Sequence, residues 1–181
     1  MPAHLGPDSS PGERTRYFEQ AMWPHLAAAY NFARWLVHDH HDAEDVVQES
    51  FVKAFKSAET FRGSDVRPWL LAIVRNTAIN LLNRNRQQGT EALPDAAEPA
   101  DAAPGPEASL DQTQRGELVR AAIARLPQEF REALLLREME ELSYKEIAQV
   151  LKVPIGTVMS RLSRARALLV GELIVQTEAR S

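Results

Sequence analysis

The chain has 181 residues, 44% hydrophobic and 25% charged, with a formal net charge of −4 and no cysteine. That composition belongs to a globular chain of one domain or two small ones, and the missing cysteine excludes disulfides, thiolate catalysis and cysteine-based zinc sites. No apolar run approaches the ~18–20 residues that span a bilayer, and the N-terminus lacks the cationic start and apolar core of a secretory signal. A reducing cytoplasm is the expected location, with no membrane insertion.

The charge is unevenly spread. Residues 1–86 hold ten acids and ten Lys/Arg, residues 87–110 hold five acids and no base, and residues 111–181 hold ten acids and eleven bases. The whole deficit therefore sits in one segment. A polyanion meets a local face and not a net charge, so nucleic acid remains open as a partner.

Residues 1–13, rich in Pro, Gly and Ser, read as a disordered N-terminus. Arg14 to Met22 reads as a short helix, and Pro24 starts or kinks a second in which Leu26, Tyr30, Ala33, Leu36 and Val37 form an apolar stripe. His38 to Asp42 reads as a turn; its adjacent His and Asp residues lack the spacing of a closed metal site, so no metal is expected. Residues 42–58 read as an amphipathic helix with Asp42 as N-cap. Val47, Phe51, Ala54 and Phe55 face inward, and Glu44, Asp45, Gln48 and Glu49 make an outward acidic strip. Complementing the helix dipole suffices for Glu44 and Asp45, but Glu49 lies two turns in, where a basic protein partner is the alternative.

Thr60 to Asp65 is a turn with Gly63 near its centre. Pro68 sits in the first turn of a helix running to about Arg86, with Leu70, Ile73, Val74, Thr77 and Leu81 on its buried side. From Val66 through Thr90 there are four arginines and no acid. A basic, Asn-rich helix beside an aromatic-bearing loop suits single-stranded nucleic acid, although Trp69 is expected in the core. Residues 87–110 have four prolines and only acidic charge, the marks of a linker. Its 24 residues could span ~80 Å stretched or ~25–30 Å as a coil.

Asp111 opens a helix carrying Leu118, Val119, Ala122, Ile123 and Leu126 at helical spacing, and Pro127 starts another with Phe130, Leu134 and Leu135 inside. Ser143 and Glu146 form a capping box, followed by the apolar residues Ile147, Ala148, Val150 and Leu151. Val153 and Pro154 break that helix, and a second begins at the proline. In it Val158, Leu162, Ala165 and Leu169 form one buried stripe, with Thr157, Ser160, Ser163 and Arg164 opposite and Arg161 and Arg166 flanking. Between Glu146 and Glu172 there is no acid. Two short helices, a tight turn and a cationic polar face on the second are what a helix-turn-helix needs to enter the major groove. An ordinary helical hairpin with a solvated basic face would share the pattern. No strand-like alternation occurs, so the fold class is all-α: two small helical domains joined by a flexible acidic linker.

Three stretches in this order, DAEDVVQESFVKAF, FRGSDVRPWLLAIVRNTAINLLNR and LPQEFREALLLREMEELSYKEIAQVLKVPIGTVMSRLSRARALL, resemble an extracytoplasmic-function (ECF) sigma factor of bacterial RNA polymerase. The resemblance covers about residues 14–86 and 111–171. It implies that residues 14–86 are sigma region 2, with Glu44, Asp45, Gln48 and Glu49 docking on the clamp helices of the polymerase β′ subunit. It assigns Phe61, Arg62, Gly63, Ser64, Asp65, Asn76 and Asn80 to the promoter −10 element, where a base flips into the loop with Asn76 helping to hold it. Arg84 and Arg86 would grip upstream phosphates. Residues 111–176 would be sigma region 4, bound to the β flap and reading the −35 element through Thr157, Ser160, Arg161, Ser163, Arg164 and Arg166. Residues 177–181 read as a frayed tail.

Core RNA polymerase, promoter DNA and an anti-sigma factor are the implied partners, and no cofactor is expected. The chain departs from the family pattern at Pro154-Ile155, where a serine and an acid are frequent, and at Met159, often polar or basic. No phosphate-binding glycine loop, nucleophile elbow or metal-spaced His pair appears, so the reading is an initiation factor and not an enzyme. The alternative is a stand-alone helix-turn-helix regulator with residues 14–86 as a dimerisation or sensor domain.

Overall fold

A computed structural model describes residues 16, 19–58, 61, 65–88 and 110–178, the side chains within 110–115 and 176–178 excepted. The expected disordered N-terminus, most of the −10 loop including Arg62, Gly63 and Ser64, nearly all of the linker and most of the tail lie outside those residues. Among the described residues every regular element is helical, and the chain divides into two compact units, Met1–Glu91 and Ala92–Ser181.

Among its described residues the first unit holds helical backbone at 16 and 19–22, a 3-10 turn, Trp23–His25, and the helices α1 (Leu26–Val37), α2 (His40–Ser57) and α3 (Val66–Gln87). Each of the three packs on the other two. Their shared core is Met22, Phe32 and Leu36 against Val46, Val47 and Ala54 and against Leu70, Leu71 and Val74. Lys53 donates to the buried Thr77 hydroxyl at 3.2 Å, tying α2 to α3.

The turn between α1 and α2 is shorter than the five residues expected, and the α2 cap moves. His38 takes a left-handed conformation at φ 64°, its carbonyl held by Arg34 Nη1 at 3.1 Å. The helix then starts at His40 with Asp39, not Asp42, as N-cap: Asp39 Oδ1 accepts from the Asp42 N–H at 2.9 Å. Asp42 is the third residue of the helix, the position from which a capping residue draws its hydrogen bond.

That bond holds the Asp39 carboxyl below the usual carboxylate range, against a smaller opposing effect of desolvation. A depressed folded value stabilises the fold above the unfolded value and is lost as pH falls through the folded one. Asp39→Ala is therefore expected to cost about 1 kcal/mol at neutral pH, read by urea unfolding. The gap from the parent chain should narrow as pH drops below about 4.

The second unit holds α4 (Leu110–Arg125), α5 (Gln128–Glu138), α6 (Tyr144–Leu151) and α7 (Ile155–Glu178). Helix α7 packs against all three others. Its residues Val158, Leu162 and Ala165 are buried, as are Leu134, Leu135 and Leu136 of α5 and Ile147 and Val150 of α6. Leu126, Leu134 and Ala165 form one cluster, with Ile123, Phe130 and Leu169 against it. The expected stripe on α7 is therefore the seam of this unit. Val119, grouped with the apolar face of α4, is instead 39% exposed.

Candidate nucleic-acid and polymerase interfaces

The helix-turn-helix is built by capping at both ends of α6. Ser143 Oγ accepts from the Glu146 N–H at 3.3 Å, and Glu146 Oε2 accepts from the Ser143 N–H at 2.7 Å, closing the capping box. At the other end Lys152 is left-handed at φ 54°, and the N–H groups of Lys152 and Val153 both donate to the Ala148 carbonyl. Pro154 then starts α7 through its backbone alone: its carbonyl accepts from Thr157 at 2.9 Å and Val158 at 3.2 Å. A side-chain cap, which the proline cannot supply, is not needed for the turn to close.

Beyond that turn Ser160, Ser163 and Arg164 are exposed and Thr157 is half-buried. The Ser160 hydroxyl donates to the Thr157 carbonyl at 3.0 Å. Arg164 has no ion-pair partner among the described residues. Met159 is 55% exposed, so an apolar side chain stands on the same outer surface. The flanking arginines differ: Arg161 lies 3.1 Å from Glu129, and Arg166 donates to Glu138 at 2.7 Å. Glu138, with the Tyr144 hydroxyl, raises the Arg166 pKa and so holds its proton more firmly.

In the first unit Asp65 caps α3, its Oδ1 accepting from the Arg67 N–H at 2.9 Å. The Phe61 ring lies 5.0 Å from Trp69. Trp69 is half-buried and is thus the support for Phe61 as much as part of the core. At 100° per residue, Trp69, Ile73, Asn76 and Asn80 fall on one stripe of α3, so the ring pair and both asparagines share a side of the helix. Asn80 and Arg86 are exposed and Asn76 half-buried.

Glu44, Asp45, Gln48 and Glu49 are all exposed on α2. They are not equivalent. Glu49 pairs with Lys53 at 2.7 Å and reaches Arg84 at 3.9 Å. The Lys53 hydrogen bond is the main reason the Glu49 carboxyl sits below its usual range. Glu44 faces His40 Nε2 at 3.2 Å, and the other nitrogen of that ring meets the Tyr30 hydroxyl at 2.6 Å. Asp45, Gln48, Glu49 and Arg84 line a groove of about 400 Å³ with Val46, Val52 and Leu81. Of the two apolar residues Val52 and Leu81 in this groove, Leu81 is grouped by its spacing with the buried side of α3, and Val52 is not singled out by the sequence. The available signal was Val52 itself, an apolar side chain on the polar side of α2, 51% exposed. Arg84, assigned to promoter phosphate, lies in this groove beside the acidic strip.

Among the described residues no group of three or more His, Cys, Asp or Glu side chains is placed to hold a metal ion, and no helix is long and apolar enough to cross a membrane.

A helical unit with an exposed acidic strip on α2, and a second helical unit ending in a helix-turn-helix, are the parts of a transcription protein of the sigma type. Residues 24–88 match the family model for Sigma-70 region 2, and residues 116–169 match Sigma-70, region 4. The chain is 41% identical over 146 residues to the RNA polymerase sigma-H factor of Pseudomonas aeruginosa, covering 72% of each protein. It is 35% identical over 153 residues to the ECF RNA polymerase sigma factor SigE of Mycolicibacterium smegmatis, covering 84% of this chain and 60% of that protein. Among solved structures, the sigma factor RpoE in complex with the anti-sigma factor NepR from Bartonella quintana is similar with a TM-score of 0.72 and 31% identity. That match covers 87% of this chain and 97% of that one. The chain belongs to the ECF sigma factors of RNA polymerase.

Proposed function

We propose that this chain binds core RNA polymerase and directs initiation at promoters carrying its −10 and −35 elements. Residues 14–86 act as region 2, residues 87–110 as the tether, and residues 111–176 as region 4. Glu44, Asp45, Gln48 and Glu49 dock on the polymerase. Phe61 to Asp65, with Asn76, Asn80, Arg84 and Arg86, engage the opened −10 strand. The outer face of α7, with Thr157, Ser160, Ser163 and Arg164, reads the −35 duplex, and an Arg–guanine pair there is worth ~1–3 kcal/mol of discrimination. The tether turns the second promoter contact into an intramolecular one. No bond is made or broken by this chain, which works where the polymerase works, in the cytoplasm.

The observation that carries this reading is the exposed, acid-free outer face of α7 on a capped helix-turn-helix, in a chain that also holds a region 2 unit. Similarity to a sigma factor solved with its anti-sigma factor supports regulation by such a partner.

The test is run-off transcription with core polymerase over a library of genomic fragments. Discrete start sites sharing two boxes are expected only when this chain is added. If core polymerase neither retains the chain nor initiates with it, while gel shifts show a tight duplex complex without polymerase, the chain is a stand-alone regulator.

A further inference from the structure

The two arginines flanking the buried stripe of α7 both reach back to α5, Arg161 largely covered and Arg166 still half exposed. Arg161 Nη2 lies 3.1 Å from Glu129 Oε2, and Arg166 Nη2 donates to Glu138 Oε1 at 2.7 Å. Glu129 is in the first turn of α5 and Glu138 is its last residue. Five positions apart, Arg161 and Arg166 project about 140° from each other around α7, one on either side of Val158, Leu162 and Ala165. Each end of α5 is thus fastened to a different flank of α7. A third element joins at one end: Tyr144, which opens α6, meets the Arg166 guanidinium. The Arg137 guanidinium lies 5.4 Å from the centre of the Tyr144 ring and also donates to the Leu142 carbonyl at 2.9 Å.

We infer that Glu129 and Glu138 are positioning residues for promoter recognition, and that Arg161 and Arg166 serve as their latches instead of touching DNA. This rests on α7 being the −35 reader. Apolar contacts along the seam hold α7 against the unit but resist its roll only weakly, because they are non-directional and Ala165 fills little of the seam. A roll of about 20° moves a side-chain tip some ~2 Å at the helix's ~5–6 Å radius, beyond the ~0.5 Å within which a recognition group must be held. Two ion pairs on opposite flanks oppose roll in both directions, since a roll that relaxes one stretches the other. Ser160, Ser163 and Arg164, on the arc between the two arginines away from the seam, are the side chains whose aim is fixed.

The sign of one substitution separates this from a direct phosphate contact. If Arg166 gripped phosphate, Glu138 would compete with the DNA and Glu138→Gln would tighten binding. As a latch, Glu138→Gln loosens α7 and weakens it.

The experiment measures the affinity of holoenzyme, full chain plus core polymerase, for a promoter recovered by run-off transcription, across a potassium chloride series. Glu138→Gln and Arg166→Ala are each expected to weaken binding about three- to fivefold, the scale of a half-exposed ion pair. The slope of log affinity against log salt should not change, since no phosphate contact is lost. A unit that had merely unfolded would lose slope as well. The charge-swapped pair E138R/R166E should recover most of the loss.

Tighter or unchanged binding with Glu138→Gln, a slope about one unit shallower with Arg166→Ala, or a swapped pair as weak as Arg166→Ala each overturns the latch. Arg164→Ala is run alongside and should lower both affinity and slope. If it changes neither, the reading of α7 as the −35 face is what fails.

Discussion

Leu162→Ala is expected to unfold the C-terminal helical unit and to leave the N-terminal one standing. Leu162 is 1% exposed at the centre of α7, the helix that packs on α4, α5 and α6 alike. Truncating a buried leucine costs about 3–5 kcal/mol through lost transfer energy and the cavity left behind. A single helical core of this size rarely supplies more than ~3–5 kcal/mol in total, so the substitution takes most of it. Thermal melts followed by circular dichroism should lose the helical signal of the second unit near room temperature and retain a separate transition for the first. Leu168→Ala is the control: Leu168 is on the same helix but 43% exposed, and the expected change is below about 0.5 kcal/mol. Retention on core polymerase should survive Leu162→Ala, since the proposed docking strip lies on α2, while initiation from −35-dependent promoters is lost. A single transition that shifts as a whole would mean that the two units do not fold separately.

The helices were legible because their buried faces recur at helical spacing. Val158, Leu162 and Ala165, and Leu70, Val74 and Thr77, came out buried as their periodicity requires. The all-α class and the helix-turn-helix with its capping box were legible for the same local reason. What was missed lies at ends and between elements. The α2 cap was misplaced by three residues because two aspartates compete in His38 to Asp42. An aspartate three positions before another acid was the available clue, and the left-handed His38 that makes room for it has no sequence mark. The outward acidic strip was read correctly as exposed, but its cross-helix neighbour was not: Glu49 meets Arg84 of α3, 35 residues away in sequence. The same limit hid the partners of Arg161 and Arg166. Helical spacing says which side of a helix a cation occupies; which acid waits there depends on how two helices cross.

Asp45→Lys is expected to be the most damaging single change in the proposed docking strip, ahead of Glu49→Lys. The four exposed polar residues suggest a uniform negative band, yet the charges around them make it uneven. At one end Glu49 sits against Lys53 at 2.7 Å and near Arg84 at 3.9 Å, so its charge is largely answered within the chain. At the other, Glu44 faces an imidazole, which adds positive charge only when protonated. Asp45 has no ion-pair partner among the described residues, and burial, helped by the charges of Asp39 and Asp45, raises the carboxyl of Asp42. The negative field offered to a basic partner is therefore strongest around Glu44 and Asp45. Reversing a charge there sets like charges against each other across the contact, which costs several kcal/mol. At about 1.4 kcal/mol per tenfold, Asp45→Lys should weaken binding to core polymerase by two orders of magnitude or so. Glu49→Lys removes a carboxylate already neutralised by its neighbours and should cost roughly tenfold less. Competition against a labelled parent chain for core polymerase measures both. Melting temperatures should stay close to the parent for Asp45→Lys, because an exposed charge away from the core changes stability by about 0.5 kcal/mol at most. Equal losses for the two variants would show that the strip acts through its summed charge, and the unevenness along α2 would then have no part in docking.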